Sequence, residues 1–78
     1  MEHILEEFIF KSPKSASNAV RAVSPEIGKA HEKRSQIAIK SNKNVVSLEV
    51  TADDKHALMA SYYAYKRLLT LCIKIAEE

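Results

Sequence analysis

The last third of the chain constrains the fold more than any other part, because it contains neither glycine nor proline from Asp53 onwards. We predict that Asp53 caps the N-terminus of a helix there and that Asp54 lies at the positive end of the helix dipole. At 1.5 Å per residue, a helix of about 25 residues is roughly 37 Å long. Because the chain has only 78 residues, this helix shares a single core with the residues before it, in one domain spanning 1–78.

The first part of the chain is predicted to form a strand and then a short helix. Alternating polarity over Glu2–Phe10 is typical of a strand, although Glu6 interrupts its apolar row. A proline-containing segment then breaks the strand, and either Ser12 or Ser15 is a suitable cap for a helix running to about Val23. A proline two residues further on disfavours continuation of that helix.

Two further strands are predicted to form a hairpin. Polarity alternates over Gln36–Lys40 and again over Val46–Thr51, as in strands with one solvated face. The intervening Ser41–Asn44 segment is rich in residues that tolerate left-handed backbone, which predicts a tight turn. Upstream, Gly28 alone is free of the steric penalty on positive φ, and Lys29–Ser35 is predicted as a loop.

The predicted order of elements is therefore β-α-β-β-α, an α+β fold. A right-handed crossover from the first strand to the second skips one position, which the third strand fills. The result is a three-stranded antiparallel sheet with both helices packed on one face.

Size and residue content favour a chain that associates with another. Many domains of this length gain stability from a staple or a partner. Cys72 is the only cysteine, which excludes a disulfide within the chain, and the three scattered histidines lack zinc-ligand spacing. We therefore predict a dimer that holds neither metal nor cofactor.

The sequence also predicts a cytoplasmic protein that does not enter a membrane. No apolar run approaches the length of about 18 residues that a membrane-spanning helix needs. The first ten residues alternate in polarity and lack the basic start and apolar block of a signal peptide. A single cysteine is consistent with a reducing compartment.

The apolar side of the last helix is wider than one sheet requires. Eleven residues fall within an arc of roughly 200°, whereas packing on a sheet needs about half that width. Exposed apolar residues scattered beside a core stripe are one explanation. The other is a second helix-packing surface that another chain covers. The arc comprises Leu58, Ser61, Tyr62, Tyr65, Leu68, Leu69, Leu71, Cys72, Ile73, Ile75 and Ala76.

The second explanation predicts two sets of interface residues on the last helix. A spacing of four residues places Met59, Tyr63 and Arg67 on one ridge beside the core stripe, and these residue types often anchor interfaces. This ridge is the predicted site for a protein partner. The dimer interface is predicted to involve a set within the apolar arc, namely Leu58, Tyr62, Tyr65, Leu69 and Ile73.

No set of residues predicts catalysis. The single glycine excludes a glycine-rich phosphate loop, and no pair of histidines has the spacing of a zinc protease. Cys72 lies on the predicted core side of the last helix, where a structural thiol is the expected role. A small sheet with two helices also leaves little interior for a pocket. The chain is therefore predicted not to be an enzyme.

Positive charge is concentrated in the middle of the chain. The segment Lys11–Lys43 has eight Lys and Arg against two Glu, a net charge of +6, so the flanking parts together carry −4. Such a block is compatible with contacts to nucleic-acid phosphates, and solvated loop charge is the alternative. The candidates for phosphate contact are the residues near the loop and the turn, namely Lys29, Lys33, Arg34, Lys40 and Lys43.

Two stretches, taken with the predicted order of elements, resemble the Pcc family. The segment from Ala19 to Glu26 resembles the first helix of the family, which ends in a Pro-Glu pair. The second segment resembles the family pattern of Ala-x-Asp, Ala-Leu-x-Ala, an aromatic residue and an arginine; its matching residues are Ala52, Asp54, Ala57, Leu58, Ala60, Tyr65 and Arg67. The family usually has arginine at the position of Met59 and Asn-Ser at the position of Tyr63-Ala64.

The resemblance implies a non-catalytic, dimerising subunit of the KEOPS complex. That complex attaches a threonylcarbamoyl group to an adenosine beside the tRNA anticodon. The implied partners are a second copy of the chain and a Kae-type threonylcarbamoyl transferase held through a helical interface. A Bud-type kinase joins indirectly, and tRNA is reached through the assembled complex.

Two other functions remain open from the sequence. The first is a stand-alone small α+β RNA-binding domain. A KH domain would need a Gly-x-x-Gly loop and an RRM would need aromatic residues on exposed strands, and the sequence predicts neither. The second is a structural homodimer unrelated to tRNA.

Overall fold

The computed structural model describes residues 1–27 and 35–76 and confirms the predicted α+β fold and order of elements. A short 3-10 turn, Ser24–Glu26, follows the first helix. The elements are the strands β1 (Glu2–Ile9), β2 (Ser35–Asn42) and β3 (Val45–Ala52) and the helices α1 (Pro13–Val23) and α2 (Lys55–Ala76).

The three strands form one antiparallel sheet in the order β1-β3-β2. The last strand in sequence is therefore the central one, as the predicted crossover requires. Ile4 of β1, Val50 of β3 and Ile37 of β2 are aligned in one row across the sheet. Because side chains alternate along a strand, this register directs one apolar row of each strand to the same face.

Local signals define both ends of α1. The Oγ of Ser12 accepts a hydrogen bond from the backbone N–H of Ser15 at 3.1 Å, and proline occupies the first helical position, where its missing N–H does no harm. At the other end the Oγ of Ser24 donates to the carbonyl of Val20 at 2.6 Å. Of the two predicted candidates, Ser12 rather than Ser15 is therefore the N-cap of α1.

The N-cap of α2 is Asp54, so the prediction of Asp53 was wrong by one residue. An Asp54 carboxylate oxygen accepts from the backbone N–H of Ala57 at 2.8 Å, and its carbonyl accepts from the N–H of Leu58 at 3.0 Å. Asp53 is exposed. The strand β3 continues to Ala52, so only one position is left between strand and cap.

The hairpin between β2 and β3 is tighter than the sequence suggested. Both strands extend further into the turn, which leaves only Lys43 and Asn44 between them, and Lys43 has φ of 56°. Asn44 also joins the turn to the end of the first strand, since its side-chain amide donates to the carbonyl of Phe10 at 3.0 Å and its carbonyl accepts from the Phe10 N–H at 2.7 Å. The predictions for Gly28 and Lys29–Ser35 lie outside the described residues, apart from Ser35, which begins β2.

The core lies between the sheet and the two helices. Val46, Leu48 and Val50 on the inward side of β3 are fully buried, as is Leu69 of α2. The helix α1 contributes small residues, including Ala16, which lets its backbone approach the sheet closely. Both helices thus pack on one face, and no described helix covers the other face.

Glu6 interrupts the apolar row of β1, and the structure shows how that polar side chain is accommodated. The hydroxyl of Tyr62 donates a hydrogen bond to a carboxylate oxygen of Glu6. The Lys66 ammonium lies 5.4 Å from the centre of the Tyr62 ring. The hydrogen bond to Glu6 raises the pKa of Tyr62, and the contact with Tyr62, followed by the charge of Glu6, raises the pKa of Lys66. This cluster ties α2 to the edge strand β1.

The capping assignment predicts a difference between two adjacent aspartates. Asp54→Ala should lower the free energy of unfolding by about 1 kcal/mol, because the N–H of Ala57 loses its acceptor. Asp53→Ala should leave it within about 0.5 kcal/mol, as for other exposed substitutions. Urea unfolding followed by circular dichroism compares the two variants, and an equal effect of both would contradict the assignment.

The Tyr62 hydroxyl predicts a second, smaller effect. Tyr62→Phe should lower the free energy of unfolding by about 0.5–1 kcal/mol, because Glu6 loses its donor. Tyr63→Phe is the matched control on the exposed side of α2. Because the pKa of Tyr62 is raised, the difference in unfolding free energy between wild type and Tyr62→Phe should be fully present at pH values below 10.0, the ordinary pKa of tyrosine. This difference should disappear as the pH rises through the raised pKa of Tyr62. A difference that grows at alkaline pH would refute this account.

Candidate protein-interaction surfaces

The described residues bring together no group of three or more side chains that could hold a metal ion. Cys72 is a free, partly buried thiol on the side of α2 that faces α1, and its burial raises its pKa. A raised pKa keeps the sulfur in its less nucleophilic thiol form. Within the described part of the chain, no helix is long and apolar enough to cross a membrane.

The residues predicted for the dimer interface divide into two groups. Leu58, Tyr65 and Leu69 are at most 4% exposed and belong to the core of a single chain. The buried Tyr65 hydroxyl donates to the carbonyl of Glu26 at 2.9 Å, which satisfies its polar end. Tyr62 and Ile73 are partly buried at the edge of the core. Only these last two have surface that a second chain could cover, and the dimer itself stays a prediction.

Two of the three residues of the predicted partner ridge lie on the exposed side of α2. Tyr63 is 53% exposed and Arg67 is exposed, whereas Met59 is partly buried against the core. The Tyr63 ring is 5.2 Å from that of Tyr62, tilted by 53°. Tyr63 and Arg67 also line a shallow depression of about 560 Å³ on the exposed side of α2. Its other lining residues are Lys66, Thr70, Leu71 and Lys74.

A groove between α1 and α2 is a surface that the sequence did not identify. It has a volume of about 300 Å³ and is lined by Ser15, Asn18, Ala19, Ala22, Cys72, Ile75 and Ala76. Most of these side chains are small, which keeps the groove open between the two helices. Ile75 on its rim is 63% exposed, and Leu71 one turn earlier is 53% exposed. These two residues lie at one edge of the wide apolar arc, which was the signal in the sequence for this surface.

The outward face of the sheet is the second surface with exposed apolar side chains. Leu5 is 59% exposed and Ile9 is 71% exposed. The register places Leu5 and Ile9 on the same face as the residues aligned with them in β3 and β2, including Val45, which pairs with Ile9. On the same face, the Nε2 of the exposed His3 lies 2.7 Å from a carboxylate oxygen of the exposed Glu49.

The candidates for phosphate contact are placed only in part. Lys40 near the end of β2 and Lys43 in the turn are both exposed. Lys29, Lys33 and Arg34 lie outside the described residues, so the predicted contact of these five lysines and arginines with phosphate remains untested.

These features define a small α+β domain with two helices on one face of a three-stranded antiparallel sheet. Its exposed apolar side chains lie on two surfaces, the helical layer and the open face of the sheet. The chain belongs to the Pcc1 family, because the family model described as "Transcription factor Pcc1" matches residues 6–77. The search of curated proteins finds no match.

Family membership confirms the resemblance found in the sequence. The Pcc1 family consists of non-catalytic, KEOPS-associated subunits, so its members act within a multi-subunit complex with a tRNA-related function.

Proposed function

We propose that this chain is a dimerising scaffold subunit of a cytoplasmic KEOPS complex, in which it holds the Kae-type threonylcarbamoyl transferase for tRNA modification. The observation that carries the proposal is the pair of apolar surfaces on opposite sides of a domain from the Pcc1 family. One surface is on the helical layer and the other is on the sheet, so two partners can bind without competing. A Bud-type kinase joins through the transferase, and tRNA joins the assembled complex.

The transferase is proposed to dock on the helical layer. Leu71 and Ile75 are both more than half exposed beside the groove between α1 and α2. The partner ridge continues this surface, since Arg67 lies one turn before Leu71. Large exposed apolar side chains next to a groove lined by small residues suit the apolar side of a docking element. This arrangement supports a helical interface with the partner.

The second copy of the chain is proposed to pack on the open face of the sheet. Glu7, Ser47 and Lys40 form one row across this face, with Glu7 on one edge strand and Lys40 on the other. A twofold axis parallel to the strands would lay β1 of one copy over β2 of the second. Each Glu7 would then meet a Lys40 at the same height, twice in the dimer. Leu5 and Ile9 supply apolar area to this contact.

Of the two described candidates for phosphate contact, Lys43 is proposed to contact tRNA in the assembled complex, whereas Lys40 is used in the dimer contact with Glu7. Lys43 is exposed in the turn at one end of the sheet, and a dimer presents it twice. A stand-alone RNA-binding domain is less well supported, because the outward sheet face of the described strands carries no phenylalanine, tyrosine or tryptophan. The phenylalanines Phe8 and Phe10 are buried in the core.

The dimer is tested by substitution on the open sheet face. The wild-type chain should sediment as a dimer at micromolar concentration, whereas Leu5→Asp with Ile9→Asp should sediment as a folded monomer, because two charges would be buried in the contact. Leu71→Asp with Ile75→Asp is the control and should remain dimeric. A wild-type chain that is a well-folded monomer would contradict the dimer.

The transferase contact is tested with the same two pairs of substitutions. Leu71→Asp with Ile75→Asp should reduce recovery of the purified Kae-type transferase at least about tenfold, because the charges occupy the apolar part of the contact. Tyr63→Asp should also weaken it, with the circular dichroism spectrum unchanged. The sheet-face variant should bind as the wild type does. Equal binding by all variants would exclude the helical layer as the docking surface.

A further inference from the structure

Charge in the described helices and strands is separated by structural layer. The helices α1 and α2 contain no aspartate or glutamate at all. The strands carry the opposite excess, since β1 and β3 together have four glutamates and the only lysine of the three strands is Lys40. The six cations of the helical layer are Lys14, Arg21, Lys55, Lys66, Arg67 and Lys74.

The helices themselves contain no carboxylate that could neutralise their positive charge. The contact between His3 and Glu49 lies on the sheet. Lys66 is placed over the ring of Tyr62, and Glu6, whose charge acts on it, belongs to β1. Like charges on one surface raise the positive potential outside it, which attracts a partner of opposite charge and increases its association rate.

The cations are next to the exposed apolar residues of the proposed docking surface. Arg67, Leu71 and Lys74 line the same depression on α2, and Ile75 follows at the rim of the groove. A phosphate backbone would gain nothing from Leu71 and Ile75, which are both more than half exposed. A protein segment with an apolar stripe between carboxylates matches both properties of this surface.

We propose that the partner segment that docks on the helical layer is acidic as well as apolar. Its apolar side chains lie along Leu71, Ile75 and the groove, and its carboxylates face Arg67 and Lys74. This inference rests on the proposed function and adds the chemistry of the partner. It predicts that the contact depends on salt, and that its specificity comes from charge on the helices rather than from the lysines of the hairpin.

The first experiment measures the Kd of the purified Kae-type transferase for the full chain at NaCl concentrations from about 50 to 500 mM, where the screening length falls from above 10 Å to a few Å. Arg67→Glu with Lys74→Glu should weaken binding at least about tenfold at low salt and flatten the salt dependence. Lys11→Glu with Lys43→Glu, two exposed lysines outside the helices and outside the row of Glu7 and Lys40, is the matched control of equal charge change and should bind as the wild type does. Binding that ignores both salt and the helical substitutions overturns the acidic partner and leaves the proposed function standing.

The second experiment does not depend on the transferase. Two synthetic helical peptides of about 20 residues share one Leu/Ile stripe, which is flanked by glutamates in the first peptide and by lysines in the second. The chain should bind the glutamate peptide at least about tenfold more tightly at low salt, and Arg67→Glu with Lys74→Glu should reverse the preference. Equal affinities, or no binding of either peptide, overturn the inference.

A third measurement separates the inference from an RNA-binding role of the same surface. Transfer RNA alone is titrated onto the chain and onto the two charge variants. Weak binding that is unaffected by the helical substitutions agrees with an acidic protein partner. Binding tighter than that of the glutamate peptide, and lost in Arg67→Glu with Lys74→Glu, assigns the surface to RNA and overturns the proposal.

Discussion

The burial of the inward side of β3 is the interaction on which the rest of the structure depends. This strand pairs with both others, and its Val46, Leu48 and Val50 are completely removed from solvent beneath the helices. Each fully buried side chain of this size stabilises the fold by about 1.5–3 kcal/mol relative to leaving it exposed. Both helices are needed to cover one face of the sheet, so none of the described residues remains to cover the other.

That shortage of covering elements accounts for the two interaction surfaces. The open face of the sheet displays Leu5 and Ile9, and the helical layer displays Leu71 and Ile75 on its outer side. Because the sheet and its core separate the two surfaces, a contact on one leaves the other accessible. A domain with this geometry is suited to joining partners, and it fits a subunit whose family acts within a multi-subunit complex.

Polar residues within the packed layers are accommodated by partners that are distant in sequence. Glu6 breaks the apolar row of β1, and the residue that satisfies it, Tyr62, lies on α2. The buried Tyr65 likewise finds the carbonyl of Glu26. In both cases a tyrosine from the wide apolar arc of α2 brings a hydroxyl to a polar group at the edge of the core, since an unpaired buried group would cost about 1–3 kcal/mol. The width of that arc therefore reflects tertiary hydrogen bonding as well as packing.

The sequence by itself determined the order of the elements, the hairpin and the single long helix, because alternation, proline and turn residues act over a few neighbouring positions. It also indicated the crossover, since a right-handed connection leaves few arrangements for three strands. Only the tertiary structure decided that Asp54 rather than Asp53 caps α2, and that Leu58 and Leu69 are core residues whereas Leu71 and Ile75 are exposed. Helical periodicity gives the direction of each side chain around the helix axis, but it does not say which neighbouring element lies in that direction. In the sequence the positive charge is concentrated between Lys11 and Lys43. Among the described residues most of it lies instead in the helical layer, because α2 comes from outside that segment and packs beside α1.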